Sequence, residues 1–121
     1  MLTRKPNILQ IKVDALMGRM VKLVAYLKSK HAEREWVIQL SRCGTSIGAN
    51  IAESRNAQSR ADFVSKLNIA LKESDEAMYW INIIHRSGAL SDKESESISK
   101  DVNEVISLLT SIIKTTKENG L

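Results

Sequence analysis

Proline occurs once, at Pro6, and glycine only five times in 121 residues, so few positions can interrupt a helix. Aromatic residues make up 4% of the chain, which leaves strand-type composition poor. The single cysteine, Cys43, excludes an internal disulfide and a multi-cysteine zinc site. No apolar run approaches the roughly 20 residues of a membrane span. The opening MLTRKPNILQ has charges but neither an apolar core nor a small-residue cleavage site, so it does not read as a signal peptide. These absences lead to the expectation of a cytoplasmic helical protein, one domain by its length. A chain of this size buries about two thirds of its unfolded surface and can stand alone.

What is present is helical periodicity. Pro6-Asn7 offers a start signal with Asn7 as N-cap. From there to about Lys30, Leu9, Val13, Leu16, Met20, Val24 and Leu27 recur at three- and four-residue steps. A second helix is expected from about Glu33 to Arg55, with Trp36, Leu40, Cys43, Ile47 and Ile51 on one face. Ser59-Arg-Ala-Asp62 resembles a capping box with Asp in the place of Glu. It opens a third helix to about Arg86, where Phe63, Leu67, Ala70, Ser74, Ala77, Ile81 and Ile84 alternate by four and three. Ser87-Gly88 ends it as a glycine cap. Ser91-Asp-Lys-Glu94 is a capping box proper and starts a fourth helix to about residue 118, with Ile98, Val102, Val105, Leu109 and Ile112 on its seam. Strict four–three spacing is the seam of helices packed near +20°, and short loops make neighbours antiparallel. The expected fold is all-α, an up-down four-helix bundle in a single domain over residues 1–121.

Within the second helix, CGTSIGANIAES (43–54) carries small and polar residues where leucine would favour helix more. Gly44, Gly48 and Ala52 line up in one narrow strip beside the apolar seam. Small residues at four-residue spacing admit another helix backbone closely, here at a soluble subunit contact; packing on a bulky neighbour in the same chain, such as Trp80, is the other reading. Ser46, Asn50 and Glu53 stack with Arg42 on another face. Such a line is either solvated or, at a subunit contact, a paired polar network.

These residues carry a resemblance. SIGANIAES and SRADFVSKLNIALKESDEAMYWI look like the small four-helix-bundle family of 23S ribosomal RNA intervening sequences, also called the S23 ribosomal protein family. Ser46, Ile47, Asn50, Ile51, Ala52 and Glu53 match its first motif, Ser59, Asp62 and Phe63 its second, and Glu73, Glu76, Tyr79 and Trp80 its third. Ser54 departs from the glycine usual after the motif glutamate, and HAEREW (31–36) lacks the usual Phe-Pro approach. The resemblance implies a homopentameric ring of bundles. It also implies a relation to the basic accessory proteins of diversity-generating retroelements, which associate with a reverse transcriptase and nucleic acid.

Charge suggests a partner. The formal net charge is +4, and residues 1–60 hold eleven Lys/Arg against four Asp/Glu while residues 61–121 hold seven against ten. Arg4, Lys5, Lys12, Arg19, Lys22 and Lys30 fall within about a 100° arc of the first helix at 3.6 residues per turn, with Tyr26 among them. Such a stripe either tracks phosphates, each neutralised phosphate releasing counterions, or is an ordinary solvated face. Arg42, Arg55 and Arg60 extend the candidate nucleic-acid surface. Gly44, Ser46, Gly48, Asn50 and Glu53 are the candidate oligomer contacts. Base-stacking recognition needs several exposed aromatics, whereas Trp36, Phe63 and Trp80 fall on or near apolar seams, so any binding should be led by shape and charge.

Catalysis finds little support. A di-iron bundle needs Glu-x-x-His pairs, but Lys28 and Asn82 stand three residues before His31 and His85. Cys43 on the apolar seam reads as a buried thiol. The expectation is a non-enzymatic bundle with no metal and no cofactor, whose partners are copies of itself and RNA or DNA. The alternative is a scaffold or accessory subunit for a nucleic-acid enzyme such as a reverse transcriptase.

Overall fold

A computed structural model describes residues 7–119, which form four helices and no strand. They are α1 (Ile8–Ser29), α2 (Arg34–Ser54), α3 (Arg60–Arg86) and α4 (Asp92–Glu118). Pro6 lies outside the described residues. Each helix packs on two neighbours, α1 on α2, α2 on α3, α3 on α4 and α4 on α1, so α1 and α3 stand diagonally across the bundle. The fold is the all-α four-helix bundle that the periodicity implies.

Local chemistry sets the helix ends. The Asn7 side chain accepts from the Gln10 N–H at 2.7 Å. Ser91 and Glu94 form the full reciprocal box, Ser91 Oγ accepting from Glu94 N–H at 3.0 Å and Glu94 Oε1 from Ser91 N–H at 2.9 Å. At α3 only half of the box closes. Ser59 Oγ accepts from Asp62 N–H at 3.0 Å, but the Asp62 carboxylate takes the Gln58 N–H, at 3.2 Å, instead of that of Ser59. Gly88 follows the α3 cap at φ +91°, where an L side chain is strained.

The α1–α2 turn makes the same left-handed step without glycine, at His31 with φ +56°. A non-glycine residue there costs about 1–2 kcal/mol. His31→Gly is expected to stabilise the fold by about 0.5–1 kcal/mol, the relief being partly offset by the freer unfolded chain. Thermal unfolding checks it; a lowered midpoint would mean that the imidazole itself holds the turn.

The core is one cluster of aliphatic residues from all four helices, with Leu16, Met20, Leu27, Leu40, Ile47, Leu67, Ile81 and Leu109 fully buried. Three expected seam positions slip by one residue. Val37 enters the core and Trp36 is half-buried, Val64 is buried and Phe63 half-buried, and Ile113 is buried while Ile112 is half-buried. At the C-terminal end of α4 a straight helix at 3.6 residues per turn has drifted against the seven-residue repeat, so the seam rotates towards the next residue. Polar side chains inside the bundle bond to their own helix: Ser74 Oγ donates to Ala70 O at 2.8 Å and Ser54 Oγ to Ile51 O at 2.6 Å. Among the described residues no buried side-chain polar atom is left without a partner.

Candidate functional site

The small residues of α2 are the first element to place. An added Cβ on Gly44 would lie 2.8 Å from Met20 Cγ and 2.9 Å from its sulfur, and one on Gly48 would lie 2.7 Å from Met17 Cγ. The glycine strip therefore receives two methionines of α1 within the same chain. Gly44 is buried there and offers no surface to a second copy; Gly48 is half-covered. The bulky neighbour is this methionine pair, and not Trp80, which lies on α3. Methionine is flexible enough to fill such a notch.

The polar line takes the opposite flank of α2, towards α3. Glu53 pairs with Lys66 at 3.2 Å. Asn50, half-buried, donates to Ser46 O at 2.9 Å, the i−4 back-bond by which a short polar side chain is accommodated mid-helix. Thr45 does the same to Ser41 O at 2.8 Å. Ser46 and Asn50 are thus neither buried nor fully solvated, and Asn50 is satisfied inside its own helix. Arg42 is exposed on the outer side of α2.

On that flank Cys43 is buried and its thiol approaches Leu40 O at 3.7 Å. Burial first, and then the nearby carboxylates of Glu76 and Glu73, push the thiol up to about 12. It stays protonated at neutral pH, and a protonated thiol is a poor nucleophile.

The basic stripe of α1 is the largest surprise. Arg4 and Lys5 lie outside the described residues. Arg19 donates to Asp101 Oδ2 at 2.7 Å, to Ser97 Oγ at 2.9 Å and to Ser97 O at 3.1 Å. Lys12 reaches Glu104 at 3.5 Å, and the Tyr26 hydroxyl donates to Glu94 Oε2 at 2.8 Å. The stripe is thus turned towards an acidic edge of α4 and partly neutralised by it. The α1–α4 contact is the sparest of the four, and these long side chains bridge it. The Ser91 N–H first, and then the Tyr26 hydroxyl, hold the Glu94 carboxyl below the usual carboxylate range. Whatever this carboxylate adds to the α4 cap and the α1 tie is therefore present at neutral pH and lost as pH falls through the depressed value.

Sequence reasoning missed the acids. Glu94, Asp101 and Glu104 repeat at seven and three residues on α4, so the signal was there, but only the bundle shows which helix they face. The remaining candidate cations are less engaged. Lys30 sits 5.4 Å above the Tyr26 ring, a cation–π distance. Arg55 donates to Gln10 Oε1 at 3.1 Å, Arg60 to the Asn119 carbonyl that ends α4, and Lys22 is exposed. Lys22, Lys30, Arg42, Arg55 and Arg60 form no ion pair with a described residue.

No group of three His, Cys, Asp or Glu among the described residues is placed to hold a metal ion. His85 meets Asp92 at 2.7 Å, at the start of α4. No described helix is long and apolar enough to cross a membrane.

Comparison with known proteins agrees with the fold and the motifs. Residues 9–111 match the family model described as 23S rRNA-intervening sequence protein. The bundle superposes with a TM-score of 0.86 on the crystal structure of a protein of unknown function of the S23 ribosomal protein family from Bacteroides thetaiotaomicron, at 44% identity over 88% of this chain and 99% of the other. No curated protein sequence matches. A match over most of the chain, and across the motifs of α2 and α3, assigns it: the protein belongs to the 23S rRNA-intervening sequence protein family.

Proposed function

We propose that this protein is a non-enzymatic helical bundle that assembles with copies of itself and binds RNA or DNA through charge. The observation that carries the reading is the positive surplus, +4 in all, with Lys22, Lys30, Arg42, Arg55 and Arg60 unmatched by a described carboxylate. Assembly multiplies that surplus with each copy and concentrates the field that draws a polyanion. Tyr26 is tied to Glu94 and Trp80 is half-buried, so base stacking contributes little and recognition follows the phosphate backbone. The family's name, which refers to intervening sequences of 23S rRNA, is in keeping with an RNA.

A second reading, a scaffold or accessory subunit for a nucleic-acid enzyme such as a reverse transcriptase, draws support from the masking of Lys12 and Arg19 and from the exposed apolar side chains Ile8, Ile11, Val21 and Tyr79. Fluorescence anisotropy with structured RNA and duplex DNA, titrated with salt, separates the two. The nucleic-acid reading expects binding that weakens steeply as salt rises, with a slope of about 0.9 per phosphate contact on duplex DNA. No binding at low salt would overturn it and leave the scaffold.

A further inference from the structure

Where α1 turns into α2 the surface folds in around a cavity of about 520 Å³, a volume within the range of small-ligand clefts. Val37, which is buried, and Ile38, which is half-buried, line it with aliphatic surface. Around them stand Lys28 from the last turn of α1, His31 from the turn itself and Arg34, the first residue of α2. All three are exposed, and none forms an ion pair with a described residue. Lys12 and Arg19, by contrast, are held by α4.

The turn closes without these side chains. The Ala32 N–H donates to Leu27 O and the His31 N–H to Lys28 O, each at 3.1 Å. His31 makes the left-handed step, φ +56°, that glycine makes without strain. What histidine adds there is an imidazole at the rim of the cavity, and strained residues of this kind cluster at active sites and ligand clamps.

The lining groups are chemically diverse. Arginine offers phosphate a planar fork of N–H donors and lysine a point charge. A terminal phosphate carries close to two negative charges at neutral pH, against one for each backbone diester, so it suits a pair of fixed cations better. Glu33 is the one carboxylate of the lining. It repels a bare inorganic anion but accepts from a hydroxyl or amino group. Cations, an acceptor and an aliphatic wall together match the phosphate, sugar and base of a nucleotide.

We propose that this cavity binds a nucleotide by its terminal phosphate monoester. Lys28 and Arg34 take the phosphate with His31 as a further donor, Glu33 takes a sugar hydroxyl, and the base lies on Val37 and Ile38. The monoester is that of a free nucleotide or of the 5′ end of a strand. Only the strand-end source rests on the nucleic-acid binding proposed above.

Calorimetry on the full chain with AMP, adenosine and inorganic phosphate tests the site. AMP is expected to bind about tenfold or more tightly than either fragment, and Lys28→Gln and Arg34→Gln should each weaken it about tenfold, the scale of one charge-assisted hydrogen bond. Both side chains are exposed, so the variants should fold, which circular dichroism checks. His31→Gly should weaken AMP binding several-fold while raising the unfolding midpoint, a divergence that a merely structural histidine would not give. Fluorescence anisotropy then compares one short single-stranded RNA carrying a 5′-phosphate or a 5′-hydroxyl. A preference for the phosphate that Lys28→Gln/Arg34→Gln removes assigns the site to strand ends, and equal affinity assigns it to free nucleotides. The site is overturned if AMP fails to bind at about 10 mM, binds no better than inorganic phosphate, or keeps its affinity in both glutamine variants. Structured RNA that still binds with a steep salt dependence would then leave the charge reading standing without this cavity. AMP binding with no RNA or DNA binding at low salt would keep the cavity and overturn the nucleic-acid reading.

Discussion

Replacing Gly44 by leucine is expected to lower stability by about 2–3 kcal/mol, the upper part of the range for overpacking a core, and to lower the unfolding midpoint by roughly 10 °C for a chain of this size. The first added carbon already falls 2.8 Å from Met20 Cγ, and Met20 is 0% exposed, so its side chain has nowhere to go. The leucine branch then pushes α1 off α2 along the whole contact. Gly48→Leu meets Met17 at a similar 2.7 Å, yet Met17 is only half-buried and can swing towards solvent, so it is expected to cost less than about 1 kcal/mol once the helix propensity gained over glycine is included. Met20→Ala combined with Gly44→Leu should recover part of the loss, because neighbours in one cavity are not additive. Chemical denaturation of the three variants measures all of this. A Gly44→Leu protein within about 0.5 kcal/mol of wild type would show that the notch is not filled as described.

That contrast marks how far the sequence alone could be read. The core of α3 was legible almost residue by residue, because Leu67, Ala70, Ser74, Ala77, Ile81 and Ile84 follow one spacing and all are buried. Asn7, Ser59 and Ser91 were legible as caps, since capping depends on residues three apart. Partnerships between helices were not. Gly44 and Gly48 announce close approach, but nothing in their own helix says that the approaching group is a methionine of α1. The cations of α1 form one arc on a wheel, but a wheel has no neighbour, and the acids that meet Lys12 and Arg19 lie more than 80 residues along the chain. Local periodicity fixes which face turns inward; only the packed bundle fixes which flank meets which.

Neutralising that acidic edge tests the charge reading most directly. In the double variant Asp101→Asn/Glu104→Gln, Lys12 and Arg19 lose their partners and the formal charge rises from +4 by two. The stability cost should be small, about 0.2–1 kcal/mol per pair, because the paired side chains are a third or more exposed; Arg19 also keeps its bonds to Ser97. If nucleic acid lies along α1, the two freed cations are expected to add phosphate contacts. Each contact is worth on the order of tenfold in affinity near 0.1 M salt and steepens the salt dependence on duplex DNA by about 0.9. The variant should therefore bind duplex DNA about 10–100 times more tightly at that salt, the advantage shrinking as salt rises. Reversing Lys12, Arg19 and Lys22 to Glu should remove binding without unfolding the chain. If freeing the pairs leaves both affinity and slope unchanged while the wild type binds, the phosphates run over Arg42, Arg55 and Arg60 instead, and the cations of α1 serve to hold α4.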